Sequence, residues 1–133
     1  MERILVIEDD EMIAKMLRSV LEKAGYAVSE ARNGKEGLLA QQREAADLVI
    51  TDLIMPEKEG IETIIELRRT YPGLRIIAMS GGGRTGSAGD YLQIARQVGA
   101  ARVVAKPFAL EQMVATIREV LSQPKDRRAS TAK

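Results

Sequence analysis

Five short apolar runs, each followed by a stretch of helical periodicity, limit what this chain can fold into. The runs are Arg3–Ile7 (RILVI), Tyr26–Glu30, Leu48–Thr51 (LVIT), Leu74–Met79 and Arg102–Ala105. Most are apolar at successive positions rather than at alternate ones, the pattern of strands covered on both faces. Residues 11–24 place Met12, Ile13, Met16, Leu17, Val20 and Leu21 on one helical face, and Gly25 is a good terminator. Asn33 with Glu36 makes a capping-box-like start for a short helix through about Arg43. A third helix, from near Gly60, presents Ile61, Ile64, Ile65 and Leu67 and ends at Tyr71-Pro72-Gly73. Tyr91, Leu92, Ile94, Ala95 and Val98 mark a fourth; Leu110, Met113, Val114, Ile117, Val120 and Leu121 mark a fifth.

A βα unit repeated about five times predicts an α/β fold with a parallel sheet between two helical layers. Right-handed crossovers then leave only a few doubly wound strand orders. The 133 residues suit one domain, expected over 1–121. From Ser122 the sequence turns polar and basic and contains Pro124, which reads as a flexible tail over 122–133.

Charge and composition exclude several functions. The net charge is +1, but the last twelve residues carry +3, so the body is slightly acidic. Neither that body nor an aromatic content of 3% suits a protein that grips a phosphate backbone or stacks bases, so no direct nucleic-acid contact is expected. There is no Cys for a disulfide, thiol nucleophile or thiolate metal site, and no His for an imidazole base. The opening MERILVIEDD has too short an apolar run for a signal peptide and no segment could span a bilayer, so a cytoplasmic location without membrane insertion is expected.

In open parallel sheets, functional groups gather beyond the carboxyl ends of the strands, where the strand order reverses. Here the first strand is followed by Glu8-Asp9-Asp10, the third by Asp52, the fourth by Ser80 and the fifth by Lys106-Pro107. Neighbouring strands lie about 4.8 Å apart, so these side chains can meet. Clustered carboxylates repel one another, and a hard divalent cation removes the conflict. An oxygen-only donor set suits Mg²⁺, which accepts a few carboxylates plus a phosphate. Helix capping is the plainer explanation of the acidic trio, and it is the one adopted for Asp10, just before a helix. For Asp52 and Lys106 the plainer explanations, a solvated loop acid and a surface lysine, sit poorly with their places after LVIT and VVA.

In this order, ILVIEDD, DLVITDLIMPEKEG, the strand ending in Ser80 and VVAKPF resemble the receiver domain of bacterial response regulators, from Ile4 to about Leu121. The resemblance implies a flavodoxin-like, CheY-like doubly wound sheet of five strands in the order 2-1-3-4-5 with five helices. It implies phosphoryl transfer to Asp52 from a sensor histidine kinase or a histidine phosphotransfer protein. Asp9 is then the direct Mg²⁺ ligand, Glu8 acts through water, and the main-chain carbonyl of Ile54 completes the metal site with Asp52. Ser80 contacts the phosphoryl group and Lys106, followed by Pro107, pairs with its oxygens. The face made by the fourth helix, fifth strand and fifth helix would bind a downstream protein target, or the phosphoryl group would pass along a relay.

Two features depart from the family's commonest pattern. An aromatic residue often stands three positions before the lysine; here it is Val103, which puts an aromatic rotamer switch in doubt. The Ser80–Asp90 loop is long and holds five glycines, of which Gly81 and Gly82 could bring backbone N–H groups near a phosphoryl oxygen. Ile54 and Gly82, by resemblance, flank the site and tune dephosphorylation. The stretch GGGRTGS lacks a P-loop lysine and follows the wrong strand for nucleotide hydrolysis. An aspartate-based phosphatase usually carries a second Asp two residues after the nucleophile, and Ile54 occupies that place. The alternative is a pseudo-receiver that binds partners without phosphorylation, against which stands the full acidic, Ser and Lys set. Neither reading is a dedicated enzyme: at most the chain catalyses its own phosphorylation and dephosphorylation.

Overall fold

Side chains along a strand point alternately to opposite faces, so a run apolar at every position needs cover on both sides. The computed structural model has that arrangement; it describes residues 1–53, 59–80, 93, 96, 97 and 99–123, with the backbone alone at 59. In chain order the elements are β1 (Arg3–Ile7), α1 (Glu11–Lys23), β2 (Ala27–Ala31), α2 (Gly34–Arg43), β3 (Leu48–Asp52), α3 (Glu59–Thr70), β4 (Arg75–Ser80), β5 (Arg102–Ala105) and α4 (Leu110–Ser122). All pairings are parallel and the strand order is β2-β1-β3-β4-β5, as the resemblance implies. Four helices have both ends among the described residues, and Gln93, Arg96 and Gln97 between β4 and β5 are also helical. Tyr91, Leu92, Ile94, Ala95 and Val98 of the expected fourth helix lie outside them, so α4 is the helix expected as the fifth. The glycine-rich stretch 81–90 and residues 124–133 of the expected tail also lie outside.

Two cores follow from the alternation. Ile4, Val6, Leu48, Ile50, Ile77 and Met79 pack with Leu17 and Leu21 of α1 and Met113 and Ile117 of α4. Leu5, Ile7, Val49, Ile76 and Ala78 pack with Ile64 and Leu67 of α3, and Leu38 of α2 lies against them. The central strands β1, β3 and β4 are almost wholly buried, whereas β5, an edge strand, is half-buried. Val103 on β5 packs toward the α2–α3 layer.

Several sequence expectations need correcting. The buried stripe of α1 is Ala14, Leu17 and Leu21, while Met16 and Met12 are 45% and 71% exposed. At 3.6 residues per turn those methionines lie about 100° and 140° around the helix from Leu17, too far to reach the sheet. Ile65 of α3 is likewise turned outward. At α2 the Glu36 N–H donates to Asn33 Oδ1 at 2.8 Å, but the Glu36 carboxylate accepts from the Arg32 N–H rather than from that of Asn33. β2 and β4 each begin one residue later than expected, and Ser80 is the last residue of β4. At the other end, α4 includes Ser122, and the Gln123 carbonyl accepts from the Arg75 guanidinium.

Candidate functional site

Three strands each gain one backbone hydrogen bond beyond their last regular pair, and this levels the residues that follow them. The Glu8 N–H donates to the Ala31 carbonyl at 3.0 Å, Leu53 N–H to Met79 at 2.8 Å and Lys106 N–H to Ser80 at 2.8 Å. The register sets Ile7 beside Thr51, Asp52 beside Met79 and Ser80 beside Ala105. Glu8, Asp52, Ser80 and Lys106 therefore come to one rim of the sheet within a residue of the same level.

Glu8 is 1% exposed, Asp52 4% and Ser80 1%. The Lys106 ammonium donates to Glu8 Oε1 at 2.8 Å and to Asp52 Oδ2 at 3.2 Å, joining the two buried carboxylates. Glu8 Oε2 accepts the Asp10 N–H at 3.1 Å. Asp9 stays exposed at the mouth, yet oxygens of Glu8, Asp9 and Asp52 all lie within 4.8 Å of one another. Asp10 Oδ1 accepts the N–H groups of Met12 and Ile13, so it caps α1 as expected.

Burial pushes the Glu8 carboxyl up to about 7; the Lys106 hydrogen bond pulls the other way and the neighbouring Asp52 charge adds to the rise. Burial lowers the Lys106 ammonium, but the bond to Glu8 and the charge of Asp52 outweigh it and the net shift is upward. Lys106 is therefore a fixed positive charge. The Ser80 hydroxyl, buried at the end of β4, has no hydrogen-bond partner among the described residues.

These residues fit a hard divalent cation such as Mg²⁺. Three carboxylate oxygens converge without a soft ligand, and a buried Glu8 resists ionising until more positive charge arrives. Glu8, Asp9 and Asp52 are the side chains that could hold it. Ile54, whose carbonyl was expected in the set, and Gly81 and Gly82 lie outside the described residues. Chemically, the rim brings together a carboxylate that could act as a nucleophile, an ammonium, a hydroxyl without a partner among the described residues, and carboxylates that could hold a cation.

Sequence reasoning missed the direct Glu8–Lys106 ion pair and the part of Gly60. A Cβ on Gly60 would stand 2.5 Å from the Asp52 carbonyl oxygen, so the start of α3 lies against the backbone of the site. The signal was a glycine at the start of a helix pattern, read as a helix boundary only. Also unforeseen is a groove of about 380 Å³ beside Lys106, lined by Ile13, Met16, Leu17, Pro107, Phe108 and Leu110.

The family model of the response regulator receiver domain matches residues 4–118. The chain is 36% identical over 121 residues to the response regulator receiver protein CpdR of Brucella abortus, covering 91% of this chain and 98% of that one. It is also 36% identical over 120 residues to the uncharacterized transcriptional regulatory protein YkoG of Bacillus subtilis, covering 90% of this chain and 51% of the relative. The chain thus spans about half the length of the first curated relatives it matches. Among solved structures, a CheY-like receiver domain protein from Methanospirillum hungatei superposes with a TM-score of 0.83 at 27% identity, over 92% of this chain and 94% of the other. A match that runs from β1 into α4, on a sheet of this strand order, makes the chain a member of the response regulator receiver domain family of two-component signalling.

Proposed function

We propose that this receiver domain is a phosphorylation-activated switch whose phosphoacceptor is Asp52. The observation that carries the reading is the buried Ser80 hydroxyl, without a partner among the described residues, one residue past the Asp52–Met79 register pair, on the rim where Lys106 meets Asp52. A buried hydroxyl without a partner is unfavourable unless a ligand completes it, and a phosphoryl group on Asp52 would supply the acceptor oxygen.

In the proposed reaction an Asp52 carboxylate oxygen attacks the phosphorus of a phosphohistidine on a sensor kinase or histidine phosphotransfer protein. The P–O bond forms as the P–N bond breaks, and the imidazole leaves with the electron pair and takes up a proton. Asp52 needs no base because it reacts as the carboxylate, so a chain without His is no obstacle. Lys106 and the Ser80 hydroxyl stabilise charge on the transferring oxygens, and Mg²⁺, when bound, supplies further positive charge there. Dephosphorylation would be the only other chemistry at the site.

The new dianion would draw in Ser80 and bias the segment after β4, altering a face that includes β5 and α4 for a protein target or onward transfer. The groove of Met16, Pro107, Phe108 and Leu110 shares Lys106 with the site, so an approaching donor protein would meet this apolar rim. The receiver unit expected over 1–121 is carried by α4 through Ser122, and we place the basic extension beyond that helix. A cytoplasmic location follows from a kinase partner of this kind; no helix among the described residues is long and apolar enough to cross a membrane.

Intact-mass measurement after incubation with acetyl phosphate and Mg²⁺ tests the reading. A single phosphoryl adduct is expected, dependent on Mg²⁺ and absent from Asp52→Ala. No adduct from acetyl phosphate or from a phosphorylated histidine kinase would refute it and leave the pseudo-receiver.

A further inference from the structure

Gly60 stands eight residues after Asp52 in sequence, but the fold returns it to the peptide that follows the phosphoacceptor. A Cβ built on Gly60 would meet the Asp52 carbonyl oxygen and the Leu53 Cα at 2.5 Å, and the Leu53 carbonyl oxygen at 2.6 Å. All three are backbone atoms, which cannot swing aside as the end of a side chain would. The same Asp52–Leu53 peptide is held elsewhere: the Thr51 hydroxyl donates to the Asp52 carbonyl at 3.2 Å, and the Leu53 N–H donates to the Met79 carbonyl at 2.8 Å. Thr51 is fully buried, and Leu53 is 2% exposed. The backbone just beyond Asp52 is thus fixed by β4 on one side, by a buried hydroxyl, and by direct contact with the first turn of α3.

We propose that Gly60, together with the Thr51 hydroxyl, is a positioning element for the nucleophile: the missing Cβ lets α3 seat on the Asp52–Leu53 peptide and hold the Asp52 carboxylate where Lys106 and Ser80 converge. This rests on the phosphoacceptor role proposed above. A methyl at residue 60 forces a displacement of about half an ångström or more, because real Cβ contacts essentially never fall below 3.0 Å. The displaced atoms belong to Asp52 and Leu53 themselves. Misplacement of a reacting group on the order of 1 Å reduces rates by about 100-fold.

Gly37 provides a matched comparison. A Cβ there would collide with the Ile7 side chain, in the core beneath the site rather than against the phosphoacceptor backbone. The experiment measures the rate of Asp52 phosphorylation by acetyl phosphate at saturating donor and Mg²⁺, beside the melting temperature, for the unsubstituted protein, Gly60→Ala, Gly37→Ala and Thr51→Val. Gly60→Ala and Gly37→Ala should both melt lower. Only Gly60→Ala should lose rate, by roughly 10- to 100-fold, and Thr51→Val, which keeps the shape of the side chain, by roughly 3-fold or more. If Gly60→Ala does not fold, Thr51→Val decides alone. Unsubstituted rate in Thr51→Val, or equal rates in the two glycine variants, overturns the inference while leaving the phosphoacceptor role standing. Absence of any adduct on the unsubstituted protein overturns both.

Discussion

Replacing Glu8 by Gln should stabilise the metal-free protein while removing its response to Mg²⁺. The Glu8 carboxylate is 1% exposed, and its ionisation is pushed from 4.5 to about 7 in the fold, chiefly by burial. At ~1.4 kcal/mol per unit, that shift amounts to about 3 kcal/mol of destabilisation once the group is fully ionised. The folded-state value lies above the unfolded one, so the penalty is absent below about pH 4.5, grows as pH rises, and is complete above about 7. Glutamine keeps the shape, but its single oxygen can accept from only one of the Asp10 N–H and the Lys106 ammonium, and its amide NH2 then faces the other donor, which offsets part of the gain. It gives up the ion pair with Lys106, which retains Asp52 at 3.2 Å. The expected net gain at pH 8 is about 1–3 kcal/mol, or about 3–9 °C in melting temperature for a domain of this size. Thermal melts by circular dichroism in a chelator, at pH 5 and pH 8, would measure it. The gain should shrink at pH 5, where the original carboxyl is largely protonated. Added Mg²⁺ should raise the melting temperature of the unsubstituted protein at pH 8 and leave Glu8→Gln nearly unmoved. A Glu8→Gln protein less stable than the original at pH 8 without metal would refute the reasoning, since the Lys106 ion pair would then outweigh the burial of charge.

Ser80→Ala should leave stability unchanged or raise it by up to about 1 kcal/mol, because the lost hydroxyl has no partner among the described residues, yet slow phosphorylation by roughly 10- to 100-fold; melts and adduct formation followed by mass separate the two effects. Met16→Lys puts a charge on the rim of the groove beside Lys106, and should slow transfer from a phosphorylated donor protein at least several-fold while the acetyl phosphate rate holds. Comparing the two donors in one assay checks it. Asp10→Ala removes the acceptor for the Met12 and Ile13 N–H groups and should destabilise by about 1 kcal/mol in chemical denaturation.

Mutual support between stability and function is weakest at Glu8 and Ser80. One is a buried carboxylate with a raised ionisation, the other a buried hydroxyl without a partner among the described residues. Both are local conflicts if folding alone is considered, and both resolve if the site takes a cation and a phosphoryl group. Such conflicts are where function and folding are expected to part.

Much of the architecture could be read from local order along the chain. RILVI, LVIT and RIIAM are apolar at consecutive positions, and because strand side chains alternate in direction, only a sheet covered on both faces satisfies them. Carboxylates, a hydroxyl and a lysine directly after successive strands then had to share one rim, since every strand of a parallel sheet ends on the same side. Partner choice and depth were not legible in that way. Met12, Met16 and Ile65 look as apolar as Leu17 and Ile64, but a helix of fixed pitch can turn only part of an apolar face toward the sheet, and docking decided which. Periodicity could not say that Glu8 rather than Asp9 turns inward to Lys106, because that depends on the level at which β1 and β5 end across the sheet. Nor could it say that Gly60 touches the Asp52–Leu53 peptide, a contact made only when the chain returns through α3. Sequence patterns specify which face of each element is apolar and where each strand stops; distances between side chains on different elements arise only from how those elements pack.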